Sequence, residues 1–405
     1  MSKNQIYNEP TFSVELPTLP NATKVKKEKS ATNNSNLVIQ NFPNMYIFEG
    51  KLSKGRENKV DKSLVLTHEA GRHNTENHEL KTLFESCNSE KTQVIFVSVE
   101  THQKIIEELK SKYSGGEPLC VFNLCDGTEV DGYPGISVVS YLEKSTIPYT
   151  GADPLFYECT TSKPYLKTKL IAANVPTSQF FEIRKGHERE DFEVAVSALG
   201  FPVIIKPAVS YASLSISKKS LIHRRSEEAI DQVKETLTKN PEGVFVEQFL
   251  PGREFTVLVT GDKDIGLEIY TPAERVFNKN LEKFEKFLSF DQYWKYELEG
   301  KVPEYSADDF YWYEAAPIEW QMELKEIARN AYNACGGNGY GRVDIRTKSL
   351  DKLDAFVLEV NANCGIYGSC TTTEILKISK VTSEEFFTKV VNYSCKRNAI
   401  KLQSL

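Results

Sequence analysis

The chain has 405 residues, enough for one large domain or two to three smaller domains with proper hydrophobic cores. Its 40% hydrophobic and 11% aromatic content is typical of a globular protein and excludes a largely disordered chain. The formal net charge of -6 argues against a nucleic-acid-binding protein, because binding to a phosphate backbone relies on clustered Lys and Arg.

The sequence also bears on the compartment of the protein. No segment approaches the roughly 20 apolar residues that span a bilayer, and the N-terminal segment lacks the apolar core of a secretion signal. The eight cysteines form no CxxC pair, which favours reduced thiols over a disulfide framework or a zinc site. We therefore predict a cytoplasmic protein with no membrane and no nucleic-acid partner. Residues 1–42 are rich in Asn, Lys, Ser, Thr and Pro, which predicts a flexible tail.

An α/β pattern begins at about Asn44. Strands are predicted at 63–67, 92–99 and 118–124, with polar loops and helical segments between them. This alternation indicates a parallel sheet with functional loops at the carboxyl ends of its strands. The loop after the third strand carries acids that either face a ligand or are solvated, namely Asp126, Glu129 and Asp131.

Two lysines in the middle of the chain need an explanation. Lys163 lies at the predicted start of a helix, where the helix dipole does not favour a cation. Lys206 lies in a strongly apolar strand predicted at 201–209, and an unpaired buried lysine is costly. Each lysine reaches either water or an anion such as a phosphate.

Two more strands are predicted on either side of a Pro-Gly turn, with Glu247 before the turn and Glu254 after it. The linking backbone could read an adenine edge, and a carboxylate could accept from ribose hydroxyls. Residues 278–314 are crowded with aromatic and charged side chains and predict a long mobile loop, a common form of active-site lid. A helix is predicted at 318–334.

Residues 339–365 predict a β-hairpin, because two alternating strands flank the turn-prone segment TKSLDKLD. In the second strand we expect one face with Ala355, Val357, Glu359 and Asn361, and an opposite face with Phe356, Leu358 and Val360. One face of the hairpin would then carry Arg342, Asp344, Glu359 and Asn361. Two carboxylates and an amide oxygen beside an arginine suit Mg²⁺ and a transferring phosphate. For the hairpin taken alone, a solvated amphipathic face is the simpler explanation.

Seven elements, taken in chain order, resemble the ATP-grasp ligases, and most closely the D-alanine–D-alanine ligase branch. They are the loop NLCDGTEVDGYPG, Lys163, Lys206-Pro207, the segment from Glu247 to Glu254, the pattern Asp291-x-x-x-Lys295-Tyr296, GYGRVDI and LEVNANCG. The resemblance runs from about Ser63 to Lys389.

The resemblance implies the fold class. We expect an α/β protein with an ATP-grasp fold, in which an N-terminal parallel-sheet (pre-ATP-grasp) domain precedes a small central α+β lid domain and a C-terminal α+β domain. The expected boundaries are 43–157, 158–248 and 249–405. A homodimer is also implied.

The resemblance implies roles at the nucleotide and metal positions. Lys163 and Lys206 are similar to the lysines that hold the α and β phosphates of ATP. The other implied nucleotide contacts are Ser213 in the phosphate loop, Glu247 at the adenine amino group, the backbone of Gln248 and Leu250, and Glu254 at the ribose. Implied ligands of two Mg²⁺ ions, for which Mn²⁺ can substitute, are Asp344, Glu359 and Asn361.

The resemblance also implies the chemistry. A carboxylate attacks the γ phosphate of ATP to give an acyl phosphate, and a bound amine then displaces phosphate to form an amide. Arg342 and the backbone N–H of Gly365 would stabilise the tetrahedral intermediate. Lys295 and Tyr296 would close a lid over the γ phosphate. The partners are a small carboxylate and a small amine, and no protein nucleophile is required.

The chain departs from the family pattern at the substrate positions. Asp126 replaces a histidine, and the loop from Ser210 to Ser215, which includes Tyr211, lacks the usual glutamate and glycines. Cys370 and Thr371 occupy the positions that read the carboxylate of the second substrate. The glutamate that would hold the ammonium of the first substrate has three candidates: Glu69, Glu76 and Glu79.

These departures predict an ATP-dependent ligase that joins a carboxylate to an amine of amino-acid type, other than two D-alanines. Two alternatives stay open. One is an ATP-binding protein without turnover, and the other is a true D-alanine–D-alanine ligase.

Overall fold

The structure, a computed structural model, describes residues 44–50, 92–130, 132–210, 215–289, 310–366 and 370–404. Several predicted features lie outside these residues: the tail 1–42, the strand 63–67, residues 290–309 of the predicted loop, and Glu69, Glu76, Glu79, Asp131, Tyr211, Ser213, Lys295 and Tyr296.

Three parallel strands form the first sheet, in the order β2-β1-β3. The elements in this part of the chain are β1 (Asn44–Gly50), β2 (Thr92–Val97), α1 (His102–Ser114), β3 (Leu119–Asn123) and α2 (Ile136–Ser145). Every residue of β3 is buried, as expected for a strand in a covered parallel sheet. The strands predicted at 92–99 and 118–124 are confirmed.

The second sheet has four antiparallel strands in the order β4-β7-β5-β6. The elements here are α3 (Pro154–Thr161), α4 (Lys163–Ala172), β4 (Phe180–Ile183), α5 (Glu188–Leu199), β5 (Val203–Pro207), β6 (Leu221–Ile222), α6 (Glu227–Lys239) and β7 (Val244–Gln248). Helices α5 and α6 pack against the sheet through buried apolar residues such as Phe192, Val233 and Val246. The backbone N–H of Lys163 donates to the carbonyl of Ala208 at 2.9 Å, which fixes the start of α4 beside the end of β5.

The third sheet contains six antiparallel strands, with five in the order β11-β10-β8-β12-β13 and β9 paired to β8. The elements are β8 (Glu254–Asp262), β9 (Gly266–Ile269), β10 (Ala273–Phe277), β11 (Tyr311–Ala315), α7 (Ile318–Ala334), β12 (Tyr340–Thr347), β13 (Ala355–Ala362), α8 (Thr371–Ser379) and α9 (Ser383–Ser404). The helix predicted at 318–334 and the hairpin are confirmed. The mobile loop was predicted to extend to residue 314, which is too far. The aromatic residues of β11 form a strand that pairs with β10.

A tight turn joins the second sheet to the third. Gly252 lies so close to the end of β12 that a Cβ atom there would be 2.3 Å from the carbonyl oxygen of Thr347. The N–H of Gly252 donates to that oxygen at 3.0 Å, and the N–H of Arg253 donates to Thr347 Oγ1 at 2.8 Å. Glycine is therefore required at this turn, which places the start of β8 beside the end of β12.

The hairpin contains a β-bulge that alternation alone did not predict. Asp344 pairs with Glu359, but the next residue of β12, Ile345, pairs with Val357, so Leu358 is the additional residue on β13. Val357 is therefore buried in the same core as Val360, while Leu358 lines a cavity together with Glu359. The predicted grouping of Val357 with Glu359, and of Leu358 with Val360, was wrong for this reason.

The three sheets fall within the three predicted domain ranges 43–157, 158–248 and 249–405, and the boundaries themselves stay a prediction. Among the described residues, no helix combines the length and the apolar character that crossing a membrane requires.

Candidate active site

A cavity of about 270 Å³ is lined by residues from the loop after β3, from the second sheet and from the third sheet. Most of the described residues with a predicted site role line it: Asp126, Lys163, Lys206, Glu247, Gln248, Leu250, Glu254, Arg342, Asp344, Glu359, Asn361, Gly365 and Thr371. Residues that are distant in the sequence therefore share one cavity, and their individual roles stay predictions.

Asp344 accepts four hydrogen bonds in the wall of the cavity. Arg342 donates to it through Nε at 2.9 Å and Nη2 at 3.0 Å, Thr256 Oγ1 donates at 2.7 Å, and Asn361 Nδ2 donates at 3.0 Å. Burial by itself would raise the pKa of Asp344, but the charges of Arg342 and Arg275 outweigh it and lower that pKa. Asp344 is thus a carboxylate at neutral pH, and no described residue accepts a hydrogen bond from Arg342 Nη1, which leaves its hydrogens for another acceptor.

Glu359 and Asn361 present further oxygens beside Asp344. Glu359 lies opposite Asp344 in the hairpin and has Oε2 3.4 Å from Lys163 Nζ, which also donates to the carbonyl of Ser210 at 3.0 Å. Because Asn361 donates through Nδ2, its Oδ1 is the end available to a cation.

The oxygens of Asp344, Glu359 and Asn361 are ligands of the kind that Mg²⁺ prefers. The described part of the chain has no cluster of three or more His, Cys, Asp and Glu side chains that could hold a metal. A site with two carboxylates and an amide fits Mg²⁺ that keeps water and phosphate oxygens as its other ligands.

Glu247 is held between two lysines. Lys167 Nζ lies 2.5 Å from Oε1 and Lys206 Nζ lies 2.6 Å from Oε2, and Ser178 Oγ also donates to Oε1. Lys167 is fully buried and donates to Thr177 Oγ1 at 2.9 Å as well. The sequence interpretation missed Lys167. Its position one helical turn after the first lysine of α4 could have indicated it, because residues four apart share a helix face.

The two lysines set the ionisation of Glu247. Burial by itself would raise the pKa of this carboxyl, but Lys167 and Lys206 outweigh it and lower the pKa from 4.5 to about 2. The folded state therefore binds the proton more weakly than the unfolded state does. This interaction stabilises the fold fully above about pH 4.5, and its contribution disappears as the pH falls through about 2.

We expect the Lys206→Met variant to be less stable than the wild type near neutral pH and to lose less stability as the pH falls from about 4.5 to 2. The wild type should lose on the order of 3 kcal/mol from Glu247 between about pH 4.5 and 2. With one cation removed, the pKa of Glu247 in the folded state rises toward its unfolded value, so Glu247 contributes less stability above about pH 4.5 and less is lost below it. Urea unfolding at a series of pH values measures it. Lys239→Met removes an exposed ion pair with Glu235 and should leave the pH profile unchanged. Identical profiles for Lys206→Met and the wild type would contradict the assignment.

Glu254 lies between two buried arginines. Arg275 Nη1 donates to one carboxylate oxygen, and Arg346 Nη1 donates to the other at 2.9 Å. Arg275 also donates to Tyr313 OH through Nη2 at 2.7 Å, and that hydroxyl lies 2.9 Å from Thr371 Oγ1. A polar chain thus connects the predicted ribose contact with a predicted substrate contact. The sequence interpretation missed Arg275, although an arginine inside a strand needs a partner.

The segment after β13 brings backbone groups to the cavity. Gly365 and Thr371 line it, whereas Cys370 lies beside Gly365 and its Sγ donates to the Gly365 carbonyl at 3.2 Å. Burial raises the pKa of Cys364 to about 11, so this thiol stays protonated at neutral pH. Asp126 lines the cavity from the loop after β3.

Comparisons with known proteins show which family the chain resembles in sequence. The family model described as "D-ala D-ala ligase C-terminus" matches residues 170–392. A D-alanine–D-alanine ligase from Xanthomonas axonopodis pv. citri is 29% identical over 249 residues, which cover 61% of this chain and 69% of that protein.

Two solved structures resemble the fold. The D-alanine–D-alanine ligase from Bacillus anthracis complexed with ATP has a TM-score of 0.62 at 17% identity, covering 89% of this chain and 99% of that one. The VanG D-Ala:D-Ser ligase from Enterococcus faecalis has a TM-score of 0.58 at 16% identity, covering 88% of this chain and 100% of that one.

The three sheets, together with a cavity lined by all three parts of the chain, define an ATP-grasp fold. The predicted fold class is confirmed. Because the family model matches more than half of the residues, the chain belongs to the D-alanine–D-alanine ligase C-terminal family. The protein is thus of the D-alanine–D-alanine ligase type, a family of ATP-dependent ligases that form amide bonds.

Proposed function

We propose that this protein is an ATP-dependent carboxylate–amine ligase that forms an amide bond and releases ADP and phosphate. The observation that carries the proposal is the pairing of Asp344 with Glu359 across the hairpin, in the same cavity as Lys163 and Lys206. This arrangement places oxygen ligands for Mg²⁺ next to cations that suit phosphate oxygens. The amine is proposed to be of amino-acid type.

The nucleotide would lie along the second sheet. Lys163 and Lys206 would contact its phosphates, and the backbone of Gln248 and Leu250 would contact the adenine edge. Apolar side chains suited to a planar base line the same cavity: Ile204, Phe249, Leu250, Phe287 and Leu288. Glu254 would accept from the ribose through lone pairs that Arg275 and Arg346 leave unused.

The reaction needs positioning and charge stabilisation from the protein. A substrate carboxylate oxygen attacks the γ phosphorus while the bond from that phosphorus to the β-bridging oxygen breaks, giving an acyl phosphate and ADP. Asp344, Glu359 and Asn361 would hold Mg²⁺, which would offset the negative charge of the phosphate oxygens. The amine nitrogen then attacks the acyl carbon, phosphate leaves, and the nitrogen loses a proton. The Nη1 hydrogens of Arg342 and the N–H of Gly365 would stabilise the oxyanion formed in between.

The substrate side supports a pair other than two D-alanines. Asp126, Thr371 and Cys370 depart from the family pattern, and Thr371 is tied through Tyr313 to Arg275. The VanG neighbour, by its description, is a D-Ala:D-Ser ligase, so this fold accommodates a different second substrate. Contacts from Tyr211, Ser213, Lys295 and Tyr296, the three-domain boundaries, a homodimer and a cytoplasmic location stay predictions.

A two-readout assay tests the proposal. Each reaction contains the protein, Mg-ATP and hydroxylamine as a general amine. One acid is added to each reaction: glycine, L-alanine, D-alanine, D-serine, L-glutamate, D-lactate or acetate. We expect at least one acid to yield both phosphate and a hydroxamate, because hydroxylamine captures an acyl phosphate. Asp344→Asn serves as the inactive control.

Two other outcomes separate the alternatives. ATP binding without phosphate release for any acid would overturn the ligase proposal in favour of an ATP-binding protein. That alternative has support in the four hydrogen bonds that already engage Asp344. Hydroxamate from D-alanine alone, with D-alanyl-D-alanine as the product when hydroxylamine is omitted, would instead identify a true D-alanine–D-alanine ligase.

A further inference from the structure

The carboxamide of Asn363 has a donor group that no described atom uses. Asn363 lines the cavity and is 3% exposed, and its Nδ2 is buried without a hydrogen-bond partner. Its Oδ1 accepts from the N–H of Ala152 at 2.8 Å. Because only the oxygen can accept from an N–H, this bond fixes the orientation of the carboxamide and leaves the NH₂ group as the unused end.

The backbone around Asn363 holds this orientation. Asn363 has a φ of 51°, in the left-handed region that asparagine tolerates better than most residues. Gly151, at a φ of 90°, comes so close that a Cβ atom there would lie 2.3 Å from Asn363 Oδ1. Burying an N–H without a partner costs free energy, so a fixed, unused donor at a cavity wall points to a ligand acceptor.

A second buried asparagine makes the same kind of backbone contact through its oxygen and also uses its NH₂ group as a donor. Asn338 Oδ1 accepts from the N–H of Asp153 at 2.8 Å, one residue after the contact of Asn363. Its Nδ2 donates to the carbonyl of Gly336 at 3.0 Å, so that carboxamide uses both ends. Of these two asparagines, Asn363 is the one that lines the cavity and keeps its amide hydrogens uncommitted.

We infer that Asn363 Nδ2 binds an oxygen of the carboxylate substrate, an inference that rests on the proposed ligase function. Asn363 lies two residues after Asn361, a proposed Mg²⁺ ligand, and two residues before Gly365, a proposed oxyanion donor. A neutral donor between them suits the carboxylate oxygen that does not attack phosphorus. That oxygen is an acceptor in the substrate, in the acyl phosphate and in the tetrahedral intermediate, and Asn363 transfers no proton to it.

Asn363→Asp tests the inference in the full-length protein. The variant keeps an oxygen for the Ala152 N–H and replaces the NH₂ group with an oxygen that repels a carboxylate. Hydroxamate formation is measured with Mg-ATP, hydroxylamine and the acid of the panel above that the wild type converts fastest. We expect the KM for that acid to rise by at least about tenfold, while the KM for ATP stays within about twofold.

Asn338→Asp is the matched control. It loses the bond to Gly336 and should lower stability, but both KM values should stay within about twofold because Asn338 is not in the cavity wall. If Asn363→Asp does not fold, Asn363→Gly, which tolerates the same backbone conformation, replaces it with an expected rise in the KM for the acid only.

The outcomes separate the inference from the proposed function. Hydroxamate formation with an unchanged KM for the acid in the folded Asn363 variant overturns the inference alone. An equal rise of both KM values also overturns it, because it indicates a general disturbance of the site. No hydroxamate from any acid with the wild type overturns the proposed function and the inference together.

Discussion

Asp344→Asn is expected to lower Mg-ATP turnover roughly 10³-fold, because metal binding supplies several kcal/mol of charge stabilisation and each 1.4 kcal/mol is about tenfold in rate. The amide retains the shape and one acceptor oxygen, but it removes the negative charge that would hold Mg²⁺ and that pairs with Arg342. Phosphate release at saturating ATP and acid measures the loss. Circular dichroism and thermal melting establish that the variant is folded.

Asp191→Asn is a matched control for that variant. Asp191 accepts from Arg184 through Nε at 3.0 Å and Nη2 at 2.7 Å, and it lies on α5 outside the cavity. We expect it to affect stability with turnover near the wild-type value. If Asp344→Asn retains turnover within about tenfold of the wild type, the proposed metal role of Asp344 is wrong.

Arg342→Ala is expected to lower kcat roughly 10²- to 10³-fold, equivalent to about 2.7–4 kcal/mol, the scale of one lost oxyanion donor. The structure adds a second reason for a large effect. Arg342 donates twice to Asp344, so the variant also leaves a buried carboxylate without its main partner. We therefore expect lower thermal stability together with the lower kcat.

Arg253→Ala separates these two effects. Arg253 forms an equivalent two-bond pair with Glu274 and stacks on Trp320, 4.5 Å from the ring centroid, away from the cavity lining. Its loss should reduce stability and leave kcat near the wild-type value. A loss of less than about tenfold in kcat for Arg342→Ala would indicate that Arg342 is structural.

Much of the fold could be predicted because its signals are local. The alternation of polar and apolar residues in β12 predicted which side of the strand carries Arg342 and Asp344, and both line the cavity. Lys163 was recognisable as a candidate site residue because the helix dipole does not favour a cation at the start of a helix. These features depend on neighbours within a few residues, which the sequence shows directly.

Contacts between elements were harder to predict. Lys167 and Arg275 looked like ordinary charged residues because their partners, Glu247 and Glu254, lie 80 and 21 positions away. Asn363 had no distinguishing pattern, since its uncommitted NH₂ group is visible only when every neighbour is placed. Such pairings are decided by tertiary packing, and residue spacing carries little information about them.

The bulge at Leu358 makes the hairpin sensitive to the position of a deletion. Removing Leu358 would leave Asp344 opposite Glu359 and Ile345 opposite Val357, so the ladder would close without changing which side chains are buried. Removing Val360 would instead shift one part of β13 by one residue against its partner and exchange core and cavity side chains there. Deleting one residue from β13 is therefore tolerated at Leu358 and disruptive at Val360, although both deletions shorten the chain equally.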